Sequence, residues 1–253
     1  MSRIEDEARK IFGARAAFYT TSDSHRDTAV LARLVELARA RPDWLALDIA
    51  TGTGHTAFAV ANHVRAVIGT DLTPEMLREA VQLQAGAGLR NVTFTLADVH
   101  ALPFATGAFD LVTSRRAPHH FSRISDAVAE IRRVLRPGGR VVIDDRSVPE
   151  DDFVDACLNQ LDVFHDPSHV REYRATEWRR MLEAGGFTVD VLETYTKHRP
   201  LTAFTGKASP ENARKIDALV AGLTPAERAA LHLVEVDGVP HLNHWYCTIA
   251  ATR

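Results

Sequence analysis

The chain has 253 residues, of which 45% are hydrophobic and 25% are charged, and its formal net charge is −3. This length suits one large α/β core better than two independent domains. The weak net charge gives no general attraction to nucleic acid or to anionic membrane, so we expect a small-molecule partner. Cys157 and Cys247 form no C-x-x-C motif, which indicates buried thiols in a reducing compartment.

The N-terminal segment MSRIEDEARK is charged where a secretory signal peptide needs an apolar stretch. No apolar run approaches the length that spans a membrane. We therefore expect a cytoplasmic protein without membrane insertion, present as a monomer or a homodimer.

Strand and helix patterns alternate between residues 44 and 145. A first amphipathic helix covers Asp27 to Arg39, and later helices cover Ala57 to Val64, the stretch after Pro74, and Ser125 to Leu135. The predicted strands are WLALDIA, AVIGTDL, NVTFTLAD, FDLVTS and RVVIDD. This alternation predicts an α/β fold with a parallel, doubly wound sheet.

The pattern changes after Asp145. Helices are predicted over Phe153 to Phe164, Thr176 to Ala184 and Glu211 to Ala221, while FTVDVLETY and NHWYCTIA alternate as strands and VEVDGVPHL reads as a hairpin. We predict a single domain. In it, residues 1–41 form a helical lid, 42–150 a cofactor-binding core, and 151–253 the rest of the sheet with a cap insertion at about 199–241.

The glycine-rich stretch DIATGTGHTA follows the first strand. Gly52 and Gly54 let a ligand approach backbone N–H groups at the start of a helix, which suits the pyrophosphate of a dinucleotide or the carboxylate end of S-adenosylmethionine. Asp48 favours the second ligand, since a carboxylate repels pyrophosphate and suits an ammonium and a sulfonium. At about 4 Å and an effective dielectric near 20, this contrast is on the order of a few kcal/mol.

Two further acids follow the next two strands. Asp71 can accept both hydroxyls of an adenosyl ribose, as an acid does in either cofactor class. Asp98 can accept the adenine amino group while the Val99 N–H reaches a ring nitrogen, although a turn or helix-cap role is an alternative for Asp98. With Asp48 and the glycines, this series favours an adenosyl sulfonium.

Four stretches stand in the order of a known family: LALDIATGTGHTA, VIGTDLTPEMLREA, ADVHALPFATGAFDLVTSRRAPHHF and IRRVLRPGGRVVIDD. The chain resembles the class I S-adenosylmethionine-dependent methyltransferases, in particular the small-molecule branch related to the ubiquinone and menaquinone biosynthesis C-methyltransferases. The stretches FYTTSDSH and DPSHVREYRATEWRRMLEAGGF also resemble a bacterial subgroup of this branch.

The resemblance implies a Rossmann-like, mostly parallel seven-stranded sheet with an antiparallel final strand and a helical cap. It implies S-adenosylmethionine as the cofactor, with contacts from Ala50, Gly52, Gly54, Asp71, Leu72, Asp98, Val99, Ser114 and Arg115. Ala50 departs from the family, which has a glycine at this position. A methyl group is the smallest intrusion, so we expect binding to survive with a slightly displaced turn.

His119 and His120 in RRAPHHF are the candidate catalytic residues. Methyl transfer is an in-line displacement that depends mainly on alignment, so a base is optional. Either histidine could take a proton from a phenol, an amine or an acidic carbon; alternatively, one of them packs or orients the loop.

Two other segments carry candidate site residues. Tyr19 and His25 are predicted to close over the cofactor, while Ser22 or Asp23 is an alternative helix cap. In HDPSHVR, His169 and Arg171 are predicted to contact the substrate. We expect no metal site there, because Pro167 is expected to begin a new helix that leaves His165 off the face of His169.

These observations predict S-adenosylmethionine-dependent methyl transfer to a small-molecule acceptor at O, N, S or C. One alternative is an NAD(P)-dependent oxidoreductase, suggested by G-x-G-x-x-A together with Asp71. The other is an S-adenosylmethionine-binding protein without methyl transfer, suggested by the lack of a demonstrable base.

Overall fold

A computed structural model describes residues 3–253. Within them the strands are β1 Leu45–Ile49, β2 Ala66–Asp71, β3 Val92–Leu96, β4 Phe109–Arg115, β5 Leu135–Val148, β6 Tyr173–Arg174, β7 Thr188–Pro200, β8 Val234–Val236 and β9 Val239–Thr252. The helices are α1 Arg3–Thr21, α2 Thr28–Ala38, α3 His55–Ala61, α4 Pro74–Ala87, α5 Ile124–Val134, α6 Asp152–His165, α7 Ala175–Ala184, α8 Thr202–Thr205, α9 Pro210–Ala221 and α10 Pro225–Ala230.

The strands form one sheet in the order β3-β2-β1-β4-β5-β9-β7. Strands β1 to β5 are mutually parallel, whereas β9 runs antiparallel to both β5 and β7. The predicted mostly parallel sheet with a reversed final strand is confirmed. Two short strands, β6 beside β5 and β8 beside β9, raise the strand number from the predicted seven to nine.

Helices cover both faces of the sheet because successive strand residues point to opposite sides. Leu111 and Val142 are buried on one face in the cluster that includes residues of α2 and α3. Val112 and Ile143 are buried on the other face in the cluster that includes Trp178 of α7. Each such side chain contributes about 1.5–3 kcal/mol by its burial, so the two layers hold the strand ends in fixed positions.

The predicted lid, residues 1–41, divides into two parts in the structure. Helix α1 and residues 22–25 lie at the carboxyl edge of the sheet, where they line a cavity. Helix α2 instead packs on the sheet through Leu34 and Leu37, which are buried in the core. Its amphipathic pattern is that of a core helix, so the part of the segment that covers the cavity ends before α2.

The cap rests on a long extension of two strands. β7 and β9 stay paired from Thr188 and Thr252 to Pro200 and His241, so β7 is longer than predicted. Helices α8, α9 and α10 follow β7 and pack against α6 around the buried side chain of Phe204. The cap therefore has a small core of its own beside the sheet.

The prediction that a new helix begins at Pro167 is wrong. α6 ends at His165, and Pro167 lies in a turn. The Asp166 side chain accepts hydrogen bonds from both the backbone N–H and the hydroxyl of Ser168, at 2.9 and 2.7 Å, and this local turn replaces the first helical hydrogen bonds.

None of the helices between residues 3 and 253 is long and apolar enough to cross a membrane.

Candidate active site

A cavity of about 500 Å³ opens at the carboxyl edge of the sheet. This edge is where open α/β sheets bind ligands, and the volume is typical of small-molecule sites. We divide its lining by chain segment. The sheet half is lined by residues 49–53, 71–73 and 97–100, and the cap half by residues 119–120, 165–166, 202–203 and 206–207 with His169, Arg199 and His244.

The glycine-rich turn in the sheet half has a left-handed backbone at alternate positions. The φ angles are 52° at Ala50, 55° at Gly52 and 91° at Gly54. A Cβ atom at Gly54 would lie 2.6 Å from the Phe58 ring, so a larger residue there would clash. Ala50 and Gly52 line the cavity, whereas Gly54 lies behind it at the start of α3.

Asp48 lies beneath this turn and does not line the cavity. Its carboxylate accepts hydrogen bonds from the hydroxyls of Thr51 and Thr113, at 2.5 and 2.6 Å. Burial raises the pKa of Asp48 to about 6, although these hydrogen bonds oppose the shift. Asp48 therefore supports the turn from below, and the direct cofactor contact predicted for it is not part of this geometry.

Asp71 lines the sheet half together with Leu72. One carboxylate oxygen accepts the Gly52 N–H at 2.8 Å, and the other accepts the Thr73 N–H at 2.9 Å. Burial raises the pKa of Asp71, and these backbone donors oppose the shift. The Leu72 N–H and the Thr73 side chain also oppose the pKa shift, so the end of β2 and the glycine-rich turn together hold this carboxylate in place.

Asp98 and Val99 also line the sheet half. A carboxylate oxygen of Asp98 accepts the His100 N–H at 2.9 Å and lies 2.6 Å from the His100 Nδ1. The His100 Nδ1 is 3.6 Å from a carboxylate oxygen of Glu5 on α1. The turn role considered for Asp98 is therefore present, and it joins this end of the cavity to α1.

Arg115 joins the segment after α1 to the core. Its guanidinium donates hydrogen bonds to the Thr56 hydroxyl at 3.0 Å and to the backbone carbonyls of Ser24 and His25. Arg115 and His25 line the cavity, as does Tyr19, whose ring lies edge-on to the His25 ring at 4.8 Å. Tyr19 and His25, which were predicted to close over the cofactor, therefore lie at the sheet half of the cavity.

Two further predicted site residues, Ser114 and Arg171, also lie outside the cavity lining. The Ser114 hydroxyl donates to the Ile49 carbonyl at 3.0 Å within the sheet. The Arg171 guanidinium pairs with Asp155 at 3.0 Å and Glu177 at 3.2 Å, and Arg171 does not line the cavity. These two carboxylates hold Arg171 at the edge of α6 and α7, which separates it from His169.

His119 is the most firmly positioned histidine of the cavity. Its Nδ1 lies 2.6 Å from one carboxylate oxygen of Asp145, and its backbone N–H donates to the other oxygen at 2.8 Å. Both side chains are buried. Burial raises the pKa of Asp145 to about 7 and holds the pKa of His119 well below its usual value. Burial therefore disfavours charge on the imidazole of His119.

The neighbouring histidines have other partners. The His120 Nδ1 lies 3.0 Å from the Ser168 carbonyl, and its ring lies edge-on to Phe12 at 4.9 Å. The His169 Nε2 lies 3.0 Å from the Asn159 side-chain oxygen, and burial lowers the pKa of His169 to about 4. The His165 Nδ1 instead contacts the Phe204 carbonyl at 2.6 Å. His165 and His169 therefore have different hydrogen-bond partners.

Several lining residues were not predicted. Arg116 follows β4, has a φ of 55°, pairs with Asp144 at 3.3 Å and lies 3.7 Å over the centre of the Tyr246 ring. Asp145 and Arg146 lie near the carboxyl end of β5, and of these two Arg146 lines the cavity. The signal for these residues was the strand-end rule already used for Asp71 and Asp98, which also applies to β4 and β5. Arg199, Lys207 and His244 carry no local signal, because the cap brings them to the cavity.

Comparison with known proteins adds independent information to this geometry. Residues 47–143 match the family model described as a methyltransferase domain. The uncharacterized methyltransferase YcgJ of Bacillus subtilis is 38% identical over 233 residues, which are 90% of this chain and 84% of that protein. The crystal structure of YcgJ matches with a TM-score of 0.82 at 30% identity, over 88% of this chain and 97% of that one. A demethylmenaquinone methyltransferase of Thermus thermophilus is 41% identical over 113 residues, 44% of this chain and 51% of that protein.

The fold, the cavity at the strand ends and these similarities define a methyltransferase, and the chain belongs to the methyltransferase domain family. It is an S-adenosylmethionine-dependent enzyme that transfers a methyl group to a small molecule. The predicted enzyme class and cofactor are confirmed, and the oxidoreductase alternative is set aside.

Proposed function

We propose that this enzyme methylates an acceptor atom that loses a proton to His119. The observation that carries the proposal is the pair of contacts between Asp145 and His119. Both carboxylate oxygens of Asp145 contact His119, one at the ring and one at the backbone, while His119 also lines the cavity. This arrangement leaves Nε2 as the ring nitrogen that can face an acceptor.

The sheet half fits the cofactor, which supplies an electrophilic methyl group on a positively charged sulfur when it is bound. The Asp71 carboxylate lines this half and suits the ribose hydroxyls as a hydrogen-bond acceptor. The Asp98 carboxylate and the Val99 N–H suit the adenine edge, and the backbone of Ala50 and Gly52 suits the methionine end. Leu72, Arg115, Tyr19 and His25 complete the enclosure and exclude water.

The proton transfer follows from the Asp145–His119 pair. With Asp145 ionised, the Nδ1–H of His119 donates to it and Nε2 is free to accept the acceptor proton. The acceptor gains a methyl group and loses one proton, and Asp145 stabilises the resulting imidazolium. Positioning supplies much of the remaining rate, up to roughly 7–11 kcal/mol in well-oriented systems. We propose a contact with the acceptor for His169, and a positioning role for His120 against α1.

We also propose that the chain acts as a single methyltransferase domain in the cytoplasm, as a monomer or a homodimer, and without nucleic acid. The net charge of −3 supports a small-molecule partner, since nucleic-acid binding needs a strong basic surface. Cys157 and Cys247 are buried free thiols, which supports a reducing compartment such as the cytoplasm.

An acceptor screen tests the proposal. Phenols, amines, thiols and carbon acids are incubated with the enzyme and S-adenosylmethionine, and S-adenosylhomocysteine is measured by mass spectrometry. We expect turnover with an acceptor that has a removable proton, and a fall in kcat of about 10²–10⁴ for His119→Gln, as is typical for loss of a general base. The control is His63→Gln, an exposed histidine outside the cavity. Wild-type rates in His119→Gln would exclude His119 as the base, and no turnover with any class would contradict methyl transfer to such acceptors.

A further inference from the structure

The cap half of the cavity carries two positive side chains, Arg199 and Lys207, that form no ion pair with a carboxylate of the described residues. We propose that the acceptor is an anion, with a carboxylate or phosphate group held by Arg199 and Lys207 and an apolar body between this group and His119. This inference rests on the proposed function, because it concerns the acceptor of the same site.

The other charges around the cap half are already balanced. Arg146 is buried and lies 2.8 Å from an Asp162 oxygen, and it also contacts Glu172. Burial raises the pKa of Glu172 well above its usual value, and the Arg146 guanidinium beside it opposes this shift. Asp166 lies 3.5 Å from an Arg15 nitrogen on α1. Arg146 and Arg15 therefore each have a carboxylate partner within the protein.

Three buried histidines of the cap half, His119, His169 and His244, add no positive charge either. Burial is the main cause that holds the pKa of His119 and His244 well below the usual value and that lowers the pKa of His169 to about 4. At neutral pH these rings are uncharged. They provide hydrogen-bonding groups rather than a field that would attract an anion.

Arg199 and Lys207 are different. Both line the cavity, and neither lies within 4.0 Å of a carboxylate oxygen in the part of the chain that the structure describes. Lys207 Nζ lies 3.3 Å over the centre of the Phe18 ring, a contact that holds the ammonium without neutralising it. Burial and the charge of Arg15 lower the pKa of Lys207 to about 8, and the more distant Asp166 carboxylate opposes this shift.

A polar atom of His244 also lacks a partner. The His244 side chain is buried and lines the cavity, and its ring stacks on Phe204 at 4.6 Å. Its Nε2 has no hydrogen-bond partner within residues 3–253. Leaving such an atom unpaired is costly, so a polar group of the acceptor is the fitting partner. The rings of Phe12, Phe121 and Tyr246 line the same cavity and suit an apolar body.

Two probes of equal shape and different charge test the inference. Calorimetry measures the binding of benzoate and of benzamide to the full chain saturated with S-adenosylhomocysteine, at low ionic strength. We expect benzoate to bind about tenfold or more tightly than benzamide, because only benzoate gains charge-assisted hydrogen bonds. The double variant Arg199→Met/Lys207→Met should bind the two probes equally and keep the wild-type affinity for S-adenosylhomocysteine.

The matched control removes the same charges elsewhere. Arg179→Met/Lys215→Met breaks two exposed helical ion pairs, with Glu183 and Glu211, outside the cavity. It should keep the wild-type preference for benzoate. A wild-type protein that shows no preference for benzoate overturns the inference. So does a parallel loss of benzoate and S-adenosylhomocysteine affinity in the first variant, since the two cations would then serve the carboxylate of the cofactor. Neither result depends on turnover, so failure here is distinct from failure of the proposed methyl transfer.

Discussion

Ala50 and Asp71 show how single residues shape the sheet half. Ala50 keeps a left-handed backbone at a φ of 52°, a conformation that costs an L-residue roughly 1–2 kcal/mol. The Asp71 carboxylate holds the N–H of Gly52 two positions further on. The turn is thus stabilised by a hydrogen bond from the next strand, and alanine at this position is tolerated at a cost in backbone energy.

The Asp145–His119 pair leads to a prediction on pH. In the wild type, the pair gains a proton as the pH falls through about 7, the pKa to which burial raises Asp145, and this proton removes the free acceptor at His119. kcat/KM should therefore fall below about pH 7. In Asp145→Asn only the imidazole titrates, and burial holds its pKa well below the usual value. The acid limb should move to lower pH, with a rate about tenfold or more below wild type at pH 8.

The measurement is the pH profile of kcat/KM with an acceptor from the screen. His63→Gln should reproduce the wild-type profile. If Asp145→Asn lowers the rate but leaves the acid limb at its wild-type pH, Asp145 has only a structural role and the assignment to the pair is wrong.

Some site residues at the ends of strands could be predicted from the sequence. Asp71 and Asp98 were identified because each ends or follows an apolar run, and both line the cavity. Asp145 met the same criterion in RVVIDD, but its partner His119 is 26 positions away, and no local pattern indicates this pairing. His244 and Lys207 depend on how the cap folds back over the sheet, which the local sequence does not encode.

At the scale of elements, α1 combines a structural and a functional position. It packs on α4, and the Tyr19 carbonyl accepts a hydrogen bond from the Thr53 hydroxyl of the glycine-rich turn at 3.3 Å. Glu5, near the other end of α1, accepts a hydrogen bond from the Ser122 hydroxyl. Both ends of α1 are therefore held by loops that meet at the cavity.

Ligand binding should accordingly stabilise α1. We expect S-adenosylhomocysteine to slow amide hydrogen exchange in α1 by about tenfold or more, because opening of this helix would expose the bound ligand. Helix α9 is the internal control, since it packs on α6 and none of its residues lines the cavity. The test is amide hydrogen exchange measured by mass spectrometry with and without S-adenosylhomocysteine. Equal slowing in α1 and α9 would indicate global stabilisation and would contradict a local role for α1.

Element order could be predicted, and the extent of pairing could not. The alternation over residues 44–145 indicated five parallel strands, which the structure contains. The register that joins Thr188 to Thr252 and Pro200 to His241 spans more than forty residues of chain. Such pairing depends on tertiary packing around Phe204, so the sequence pattern ended β7 too early.

At the scale of the whole molecule, cofactor binding and folding stability are linked. S-adenosylhomocysteine at about 100 times its Kd adds about 2.7 kcal/mol to the free energy of unfolding. For a chain of this size, each kcal/mol raises the Tm by about 2–4 °C, so the wild-type Tm should rise by about 5–10 °C. The rise reports binding to the folded state and needs no acceptor.

The proposed contacts predict that the ligand raises the Tm of two variants by different amounts. Each rise is measured against the ligand-free Tm of the same variant. Asp71→Asn should show less than half of the wild-type rise at the same ligand concentration, because the hydrogen bonds of a ribose to a charged carboxylate are worth about 1.5–3 kcal/mol each. His120→Ala should keep the wild-type rise, since His120 lies in the cap half beside Phe12. Differential scanning fluorimetry provides both values. Equal rises in the two variants would show that Asp71 does not hold the ribose, and that its hydrogen bonds to Gly52 and Thr73 are its whole contribution.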